Sequence, residues 1–145
     1  MSEKPRVIGL DVGDKRIGVA ISDPLRITAA GLETIERKNM ATDVQKVADI
    51  CKRHGAVEIV IGLPLNADDS EGQQCAKVQS FGKKLARATG LPIIYEDEWL
   101  STISAIRTLT VQKVKTGHNR ALVDRQAAAI ILQRYLDGGD QSPIA

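Results

Sequence analysis

The stretch "RVIGLDVGDKRIGVAISD", residues 6–23, decides how the chain begins to fold. Two apolar runs, Arg6–Val12 and Arg16–Ser22, flank the turn signal Gly13-Asp14, and this pattern predicts a β-hairpin. Asp11 interrupts the first run, which otherwise reads as a strand buried on both faces. Burying its carboxylate costs on the order of several kcal/mol unless a partner compensates. Asp11 therefore either caps the turn that follows it or binds a partner brought from elsewhere in the chain.

The rest of the chain predicts helices alternating with strands. A third strand is expected at Ile27–Ile35, followed by a helix that starts with the capping box Thr42–Gln45 and ends at Gly55. The later elements are a strand at Val57–Ile61, a helix after the capping box Ser70–Gln73, a strand at Ile93–Glu96, and helices at about Thr102–Val114 and Leu122–Leu136. This order predicts an α/β fold with a mixed five-stranded sheet, three antiparallel strands first and helices on both faces.

Length and composition limit the class of protein. The 145 residues fit one domain, expected at residues 1–138 with a loose tail at 139–145, and the 43% apolar and 26% charged residues are typical of a soluble globular protein. No apolar run approaches the roughly 20 residues that span a bilayer, and "MSEKPR" lacks the apolar segment of a secretory signal. Cys51 and Cys75 fall on apolar helix stripes and are expected to be buried free thiols. We therefore expect a cytoplasmic protein that does not associate with a membrane.

Positive charge is concentrated between Arg107 and Arg125. The cations there are Arg107, Lys113, Lys115, Arg120 and Arg125, and Asp124 is the only acid among them. Such a segment either binds phosphate groups or forms a solvated helix face with its loop. The charge pattern by itself leaves both interpretations open.

Three acids stand where a sheet and its docking helix would bring them together. Asp11 ends the first strand, and Glu98 follows the last strand in "YEDEWLST". Asp124 shares a helix face with Ala127, Ala128, Ile131 and Tyr135, so it lies on the stripe that should pack on the sheet. Open α/β sheets bind ligands outside the carboxyl ends of their strands.

Each acid also has a structural explanation. Besides the turn cap at Asp11, an acid of the "EDE" segment could pair with an arginine, and Asp124 could interact with the positive end of its helix. Three carboxylates that close together do not all ionise without a cation among them. Mg²⁺ or Mn²⁺, which prefer oxygen ligands, are the expected partners.

Four motifs in this order resemble the YqgF family of the ribonuclease H-like superfamily. They are "GLDVGDKRIGVAISD", "IVIGLPLNADDSEG", "DEWLSTISA" and "VDRQAAAIILQRYL", and the resemblance covers about residues 6–137. Members of this family are described as Holliday junction resolvases or as nucleases that mature the 5′ end of the 16S ribosomal RNA precursor. The resemblance implies a ribonuclease H-like fold and a metal-dependent endonuclease.

The resemblance also implies which residues form the site. Asp11, Glu98 and Asp124 match the catalytic, metal-binding acids of the family, and Asp97 is the reserve candidate. Trp99 replaces the arginine that usually follows the Asp-Glu pair, which removes a phosphate or carboxylate contact there. Trp99 could instead stack on a base or pack in the core.

The partner is expected to be nucleic acid. The candidate contacts are Lys15, Arg16, Asn66, Lys113, Lys115, Arg120 and Arg125, because such side chains hold phosphates without reading sequence. The leading substrate is the 16S rRNA precursor, and the alternative is a four-way DNA junction, which a resolvase cuts as a symmetric dimer. Whether the chain is a monomer or a homodimer is left open.

Two other functions are compatible with parts of the sequence. One is a non-catalytic RNA-binding module that keeps the three acids. The other is an actin-like ATPase or sugar kinase, because the segment "DVGDKRIGVA" also resembles the phosphate-binding hairpin of those enzymes. Those enzymes clamp ATP between two such domains, and this chain is long enough for one.

Overall fold

The computed structural model describes residues 6–63, 69–97 and 117–138, with side chains described for residues 6–63, 75–96 and 122–138. The elements are β1 (Arg6–Val12), β2 (Arg16–Ser22), β3 (Ala29–Glu36), α1 (Met40–His54), β4 (Ala56–Leu63), α2 (Asp69–Thr89), β5 (Ile93–Asp97) and α3 (Gly117–Leu136). The helix expected at residues 102–114 and the tail expected at 139–145 lie outside the described residues.

The strands form one five-stranded sheet in the order β3-β2-β1-β4-β5. Strands β1, β2 and β3 pair antiparallel through their hairpins. β4 pairs parallel with β1, and β5 pairs parallel with β4. The predicted fold class is therefore confirmed, including the three antiparallel strands that come first.

Helices cover both faces of this sheet. The core on one face lies under α1 and α2 and is made of branched aliphatic side chains with Phe81. The core on the other face lies under α3 and combines alanines at 20, 127 and 128 with valines at 7 and 60, Ile131 and Leu132. The stripe predicted for the last helix is the one that docks, since Ala127, Ala128 and Ile131 are almost fully buried.

Glycines let α3 approach the sheet closely. A Cβ atom on Gly9 would lie 2.7 Å from Cβ of Leu132, and one on Gly31 would lie 3.0 Å from Cβ of Arg125. A Cβ atom on Gly18 would overlap the backbone carbonyl of Asp124. The contact between α3 and β2 thus requires glycine at position 18.

The predicted start of α1 at Thr42 is wrong. Asn39 is the N-cap, and its side-chain oxygen accepts the Thr42 N–H at 2.8 Å. Asp43, in the first turn, is buried with 1% exposure and accepts the Lys38 N–H at 3.0 Å. The predicted end is confirmed, because Gly55 takes the left-handed conformation with φ 67°.

Other boundaries also differ from prediction. β3 runs later than Ile27–Ile35, and Ser70 lies inside α2, which starts at Asp69. α3 begins at Gly117 rather than at Leu122, so Asp124 lies about two turns into the helix. The positive end of the helix therefore does not explain Asp124.

Two findings bear on the composition-based expectations. Neither Cys51 nor Cys75 forms a disulfide within the described residues; Cys51 is buried and Cys75 only partly buried, so the expected burial of Cys75 is incomplete. Within the described residues, the structure contains no helix with the length and apolarity that crossing a membrane requires.

Candidate active site

The strand registers define a row of residues across the α3 face of the sheet. From β3 to β5 the row consists of Thr34, Gly18, Asp11, Gly62 and Glu96. Gly62 belongs to this row because β1 and β4 are parallel and Leu10 pairs with Ile61, so the next residues, Asp11 and Gly62, lie side by side. Glycine alternates with a side chain along the row. Asp11 consequently has a glycine on each side in this row.

Asp11 is the penultimate residue of β1 and is only 6% exposed. Its neighbours Leu10 and Val12 belong to the core under α1 and α2. Side chains alternate along a strand, so the Asp11 carboxylate leaves the sheet on the α3 face. This buried carboxylate near the carboxyl end of a central strand is the first component of the site.

Asp124, on α3, lies over the same part of the sheet as Asp11. Asp11 pairs with Gly18 across β1 and β2, and the α3 backbone at Asp124 lies against Gly18. Directly paired residues of antiparallel strands point to the same face. The structure therefore brings Asp11 and Asp124 to one place on the sheet, as the sequence predicted, while their catalytic role stays a prediction.

The Asp124 carboxylate is bound by Arg16. The Arg16 Nε donates to Asp124 Oδ2 at 2.7 Å, and the two side chains are 21% and 20% exposed. The short distance is that of a charge-assisted hydrogen bond. Arg16, which the sequence assigned to phosphate binding, is thus placed at the carboxylates.

Arg37 holds the hairpin turn that carries Arg16, and sequence reasoning missed it. Its backbone N–H donates to the Lys15 carbonyl at 3.0 Å, and its Nη1 donates to the Gly13 carbonyl at 2.8 Å. Its Nε donates to the buried Asp43 at 3.0 Å, and its guanidinium lies over the Phe81 ring at 5.3 Å. The turn is therefore tied to β3, α1 and α2. These contacts are non-local, so no local motif indicates them.

The other predicted contacts are placed unevenly. Lys15 is exposed in the hairpin turn, and Arg125 is partly buried above Gly31 on β3. Within the described part of the chain, Arg125 Nε has no hydrogen-bond partner. Arg120 lies on α3, but its side chain is not described. Glu98, Asn66, Lys113, Lys115 and Trp99 lie outside the described residues.

Glu96, the first acid of the "EDE" segment, lies on this face and pairs with an arginine, as the structural explanation of that segment allowed. It is 6% exposed, and its Oε2 lies 3.1 Å from Arg134 Nε on α3. Gly62 lies between Glu96 and Asp11 in the row. The reserve candidate Asp97 pairs with Leu63, a residue of the opposite core. Alternation along β5 is the signal that would have separated the two positions.

The described residues do not form a complete metal centre by themselves. Among the side chains described at residues 6–63, 75–96 and 122–138, no three His, Cys, Asp or Glu are grouped so that they could hold an ion. What the described residues supply is Asp11 paired with Gly18, the backbone of Asp124 against the same glycine, and Arg16 bound to the Asp124 carboxylate.

This sheet order, with a carboxylate on β1 and another on the last helix, defines a ribonuclease H-like α/β fold. Thermus thermophilus RuvC in complex with a Holliday junction substrate shares it, with a TM-score of 0.58, 14% identity and coverage of 91% of this chain and 93% of that one. The fowlpox virus resolvase in complex with Holliday junction DNA also shares it, with a TM-score of 0.56, 11% identity and coverage of 94% and 99%. At these identities the likeness shows the fold.

The family follows from sequence comparison. A family model described as "RuvX: Holliday junction resolvase" matches residues 5–138, so the chain belongs to the RuvX family, also called YqgF. It is 50% identical over 131 residues to a protein of Gloeobacter violaceus, covering 90% of this chain and 83% of that protein. It is 45% identical over 132 residues to a protein of Moorella thermoacetica, covering 91% and 94%. Both are named "Putative pre-16S rRNA nuclease". The resemblance read from the four motifs is confirmed.

Proposed function

We propose that the protein is a divalent-metal-dependent nuclease that hydrolyses phosphodiester bonds in the 5′ maturation of the 16S rRNA precursor. The observation that carries the proposal is the meeting of Asp11 and Asp124 at Gly18, beside the carboxyl end of β1. Family membership and the names of the two relatives support the reaction and the substrate. A ribosomal precursor substrate and cysteines that form no disulfide within the described residues both fit a cytoplasmic location.

The donor atoms at this place fit Mg²⁺ or Mn²⁺. Asp11 and Asp124 offer only carboxylate oxygens, which these ions prefer. Asp11, Asp124 and Glu98 would hold it. The ion would activate water for attack on phosphorus and stabilise the leaving oxygen.

The register favours Glu98 over Asp97 as the third acid. Glu96, two residues before Glu98, belongs to the row of Asp11, whereas Asp97 pairs with Leu63 of the opposite core. We therefore propose Glu98 as the third ligand and keep Asp97 in reserve.

The cations around these acids would bind the phosphates that flank the cleaved bond. Lys15 is exposed in the turn held by Arg37, and Arg120 and Arg125 lie on α3 beside Asp124. Asn66, Lys113 and Lys115 complete the proposed surface on the basis of sequence. Contacts of this kind position a strand without reading its bases.

A second candidate substrate is a four-way DNA junction. The description of the family model and the fold shared with RuvC support it. A resolvase would need two copies of this chain related by symmetry in order to cut two strands. A monomer would be sufficient for an RNA nuclease, so the substrate and the oligomeric state are coupled.

A cleavage assay tests the proposal. Mg²⁺ or Mn²⁺ would be added to three substrates: a 5′-extended 16S rRNA precursor, a generic single-stranded RNA and a four-way DNA junction. We expect cutting of the rRNA precursor alone, and a loss of about a thousandfold or more in Asp11→Asn, since a metal site contributes several kcal/mol to such reactions.

The other outcomes are equally informative. Cutting of the DNA junction alone would identify a resolvase. Binding of RNA without cutting any substrate would identify the non-catalytic RNA-binding module and contradict the nuclease proposal. ATP binding measured by calorimetry would be required for the kinase-like alternative, which family membership does not favour.

A further inference from the structure

The ion pair between Arg16 and Asp124 joins residues separated by 108 positions in the sequence. Arg16 is the first residue of β2, and Gly18, two residues later on the same face, lies under Asp124. The guanidinium and the carboxylate are each about one-fifth exposed. Such an interaction is only partly screened by solvent and is stronger than an ion pair at the open surface.

Arg16 supplies a positive charge bound to one of the two acids at Gly18. Asp11 and Asp124 both lie at Gly18, and neighbouring carboxylates destabilise each other when both are ionised. Arg125, the next residue of α3, lies with its Cβ and backbone against Gly31, and its Nε has no hydrogen-bond partner among the described residues. In the described structure, Oδ2 of Asp124 accepts from Arg16.

A divalent ion would need the same carboxylate. An arginine bound through Nε occupies Oδ2, and its positive charge also opposes a second cation placed between Asp124 and Asp11. Arg16 has a fixed backbone, because β2 pairs with β1 and β3 and because Gly13 N–H donates to the Arg16 carbonyl at 2.9 Å. A metal ion could therefore displace the Arg16 guanidinium only by a movement of the side chain.

We propose that Arg16 is the counter-ion of Asp124 in the metal-free protein and competes with the divalent ion for that carboxylate. The inference rests on the proposed metal site and adds the residue that regulates its occupancy. Arg16 stabilises the metal-free fold and weakens metal binding. A nuclease built this way loads its metal only when the ion concentration is high enough to displace the guanidinium.

Mn²⁺ binding by calorimetry, with no nucleic acid present, tests the proposal. Arg16→Gln removes the charge and keeps a polar side chain, and Arg26→Gln is the matched control. Arg26 forms a similar pair with Glu58, Nη2 to Oε1 at 2.8 Å, between the β2–β3 turn and β4. We expect Arg16→Gln to bind Mn²⁺ about tenfold more tightly than the wild type, as fits the loss of one partly screened charge. Arg26→Gln should bind like the wild type.

Thermal unfolding supplies a second readout. Without metal, both variants should melt below the wild type, because each loses a partly buried ion pair. Saturating Mn²⁺ should raise the melting temperature of Arg16→Gln by more than that of the wild type, and should not do so for Arg26→Gln. If Arg16→Gln does not fold, Arg16→Lys replaces it. It keeps the charge but loses the planar fork, so its Mn²⁺ affinity should be tighter than wild type by less than tenfold.

Two results would overturn the proposal, and they are distinguishable. Unchanged or weaker Mn²⁺ binding in the Arg16 variants, with wild-type binding that Asp11→Asn abolishes, would leave the metal site standing and make Arg16 a residue that merely orients Asp124. Wild-type protein that binds no Mn²⁺, or binds it as Asp11→Asn does, would remove the proposed metal site itself.

Discussion

The two faces of the sheet differ in the side chains that cover them. Under α1 and α2 the core is made of large branched or aromatic residues, such as Leu10, Ile61 and Phe81. Under α3 the sheet contributes glycines together with Ala20, Val7 and Val60, and its end near the β1–β2 turn carries Asp11 and Arg16. The first face buries much apolar surface, which is the main stabilising contribution in folding.

This difference indicates a division of labour. Small residues let the backbone of α3 lie directly on β2, so Asp124 is placed by a backbone contact and not by a flexible side chain. Rigid elements position functional groups better than loops do. Leu10 and Asp11 are adjacent in β1 but face opposite sides of the sheet. A substitution at Leu10 therefore alters the face under α1 and α2, and a substitution at Asp11 alters the face under α3.

The largest effect on stability is expected from Leu10→Ala. Leu10 is fully buried under α1 and α2, and removing such a side chain costs about 2–5 kcal/mol through lost burial and the cavity left behind. Urea unfolding should show this loss, while Mn²⁺ affinity of the folded protein stays at the wild-type value. Asp11→Asn should behave in the opposite way and lose Mn²⁺ binding at little cost in stability. A large loss of Mn²⁺ affinity in Leu10→Ala would contradict the division between the faces.

Gly18→Ala should affect both stability and the site. The added methyl overlaps the Asp124 carbonyl, so α3 has to shift, at a cost of about 1–3 kcal/mol. Mn²⁺ binding should weaken because Asp124 moves with the helix. Gly55→Ala is the control, because its Cβ meets nothing within 4 Å but its φ of +67° is strained, which costs about 1 kcal/mol. If both variants keep wild-type Mn²⁺ affinity, the contact at Gly18 does not position Asp124.

Most of the fold was predictable because it follows from local periodicity. The hairpin, the two parallel strands and the docking stripe of α3 all produce a repeated apolar pattern. The starts of α1 and α3 were not predictable in this way. Asn39 and Thr42 are both good N-cap residues, and Gly117 is a poor helix former, so packing and not local preference decides these boundaries.

The site was predictable in part. A carboxylate inside an apolar strand and another on a docking stripe drew attention to Asp11 and Asp124 from sequence alone. The Arg16–Asp124 pair and the Arg37 contacts were not predictable, because they join distant segments. The role of Gly18 requires the strand register, which places it opposite Asp11.

Tyr135→Phe tests the far end of the α3 face with a smaller effect. The Tyr135 hydroxyl donates to Glu58 Oε1 at 3.0 Å, and its loss should cost about 1 kcal/mol at pH 7. Burial first, and then the hydrogen bond to Glu58, raise the pKa of Tyr135 above its usual 10.0. A raised pKa contributes stability below pH 10 that is lost as the pH rises through the folded-state value. Chemical denaturation should therefore show a constant gap between wild type and variant at pH 6–9 that narrows above pH 10. A gap that widens there would contradict the donor role.

The smallest perturbation is labelling of the two cysteines, which probes the α1–α2 face without a substitution. Burial raises the pKa of the Cys51 thiol to about 12, so at pH 8 about one molecule in ten thousand carries the thiolate. Cys75, which is only partly buried, should react first with iodoacetamide, and Cys51 should react only through unfolding. Mass spectrometry of the labelled peptides measures both rates. When unfolding is rapidly reversible, the Cys51 rate follows the unfolded population, so Leu10→Ala should raise it at least roughly tenfold and Asp11→Asn should leave it nearly unchanged. If both substitutions accelerated Cys51 labelling equally, both faces would contribute equally to stability. The proposed division between a stabilising face and a functional face would then be wrong.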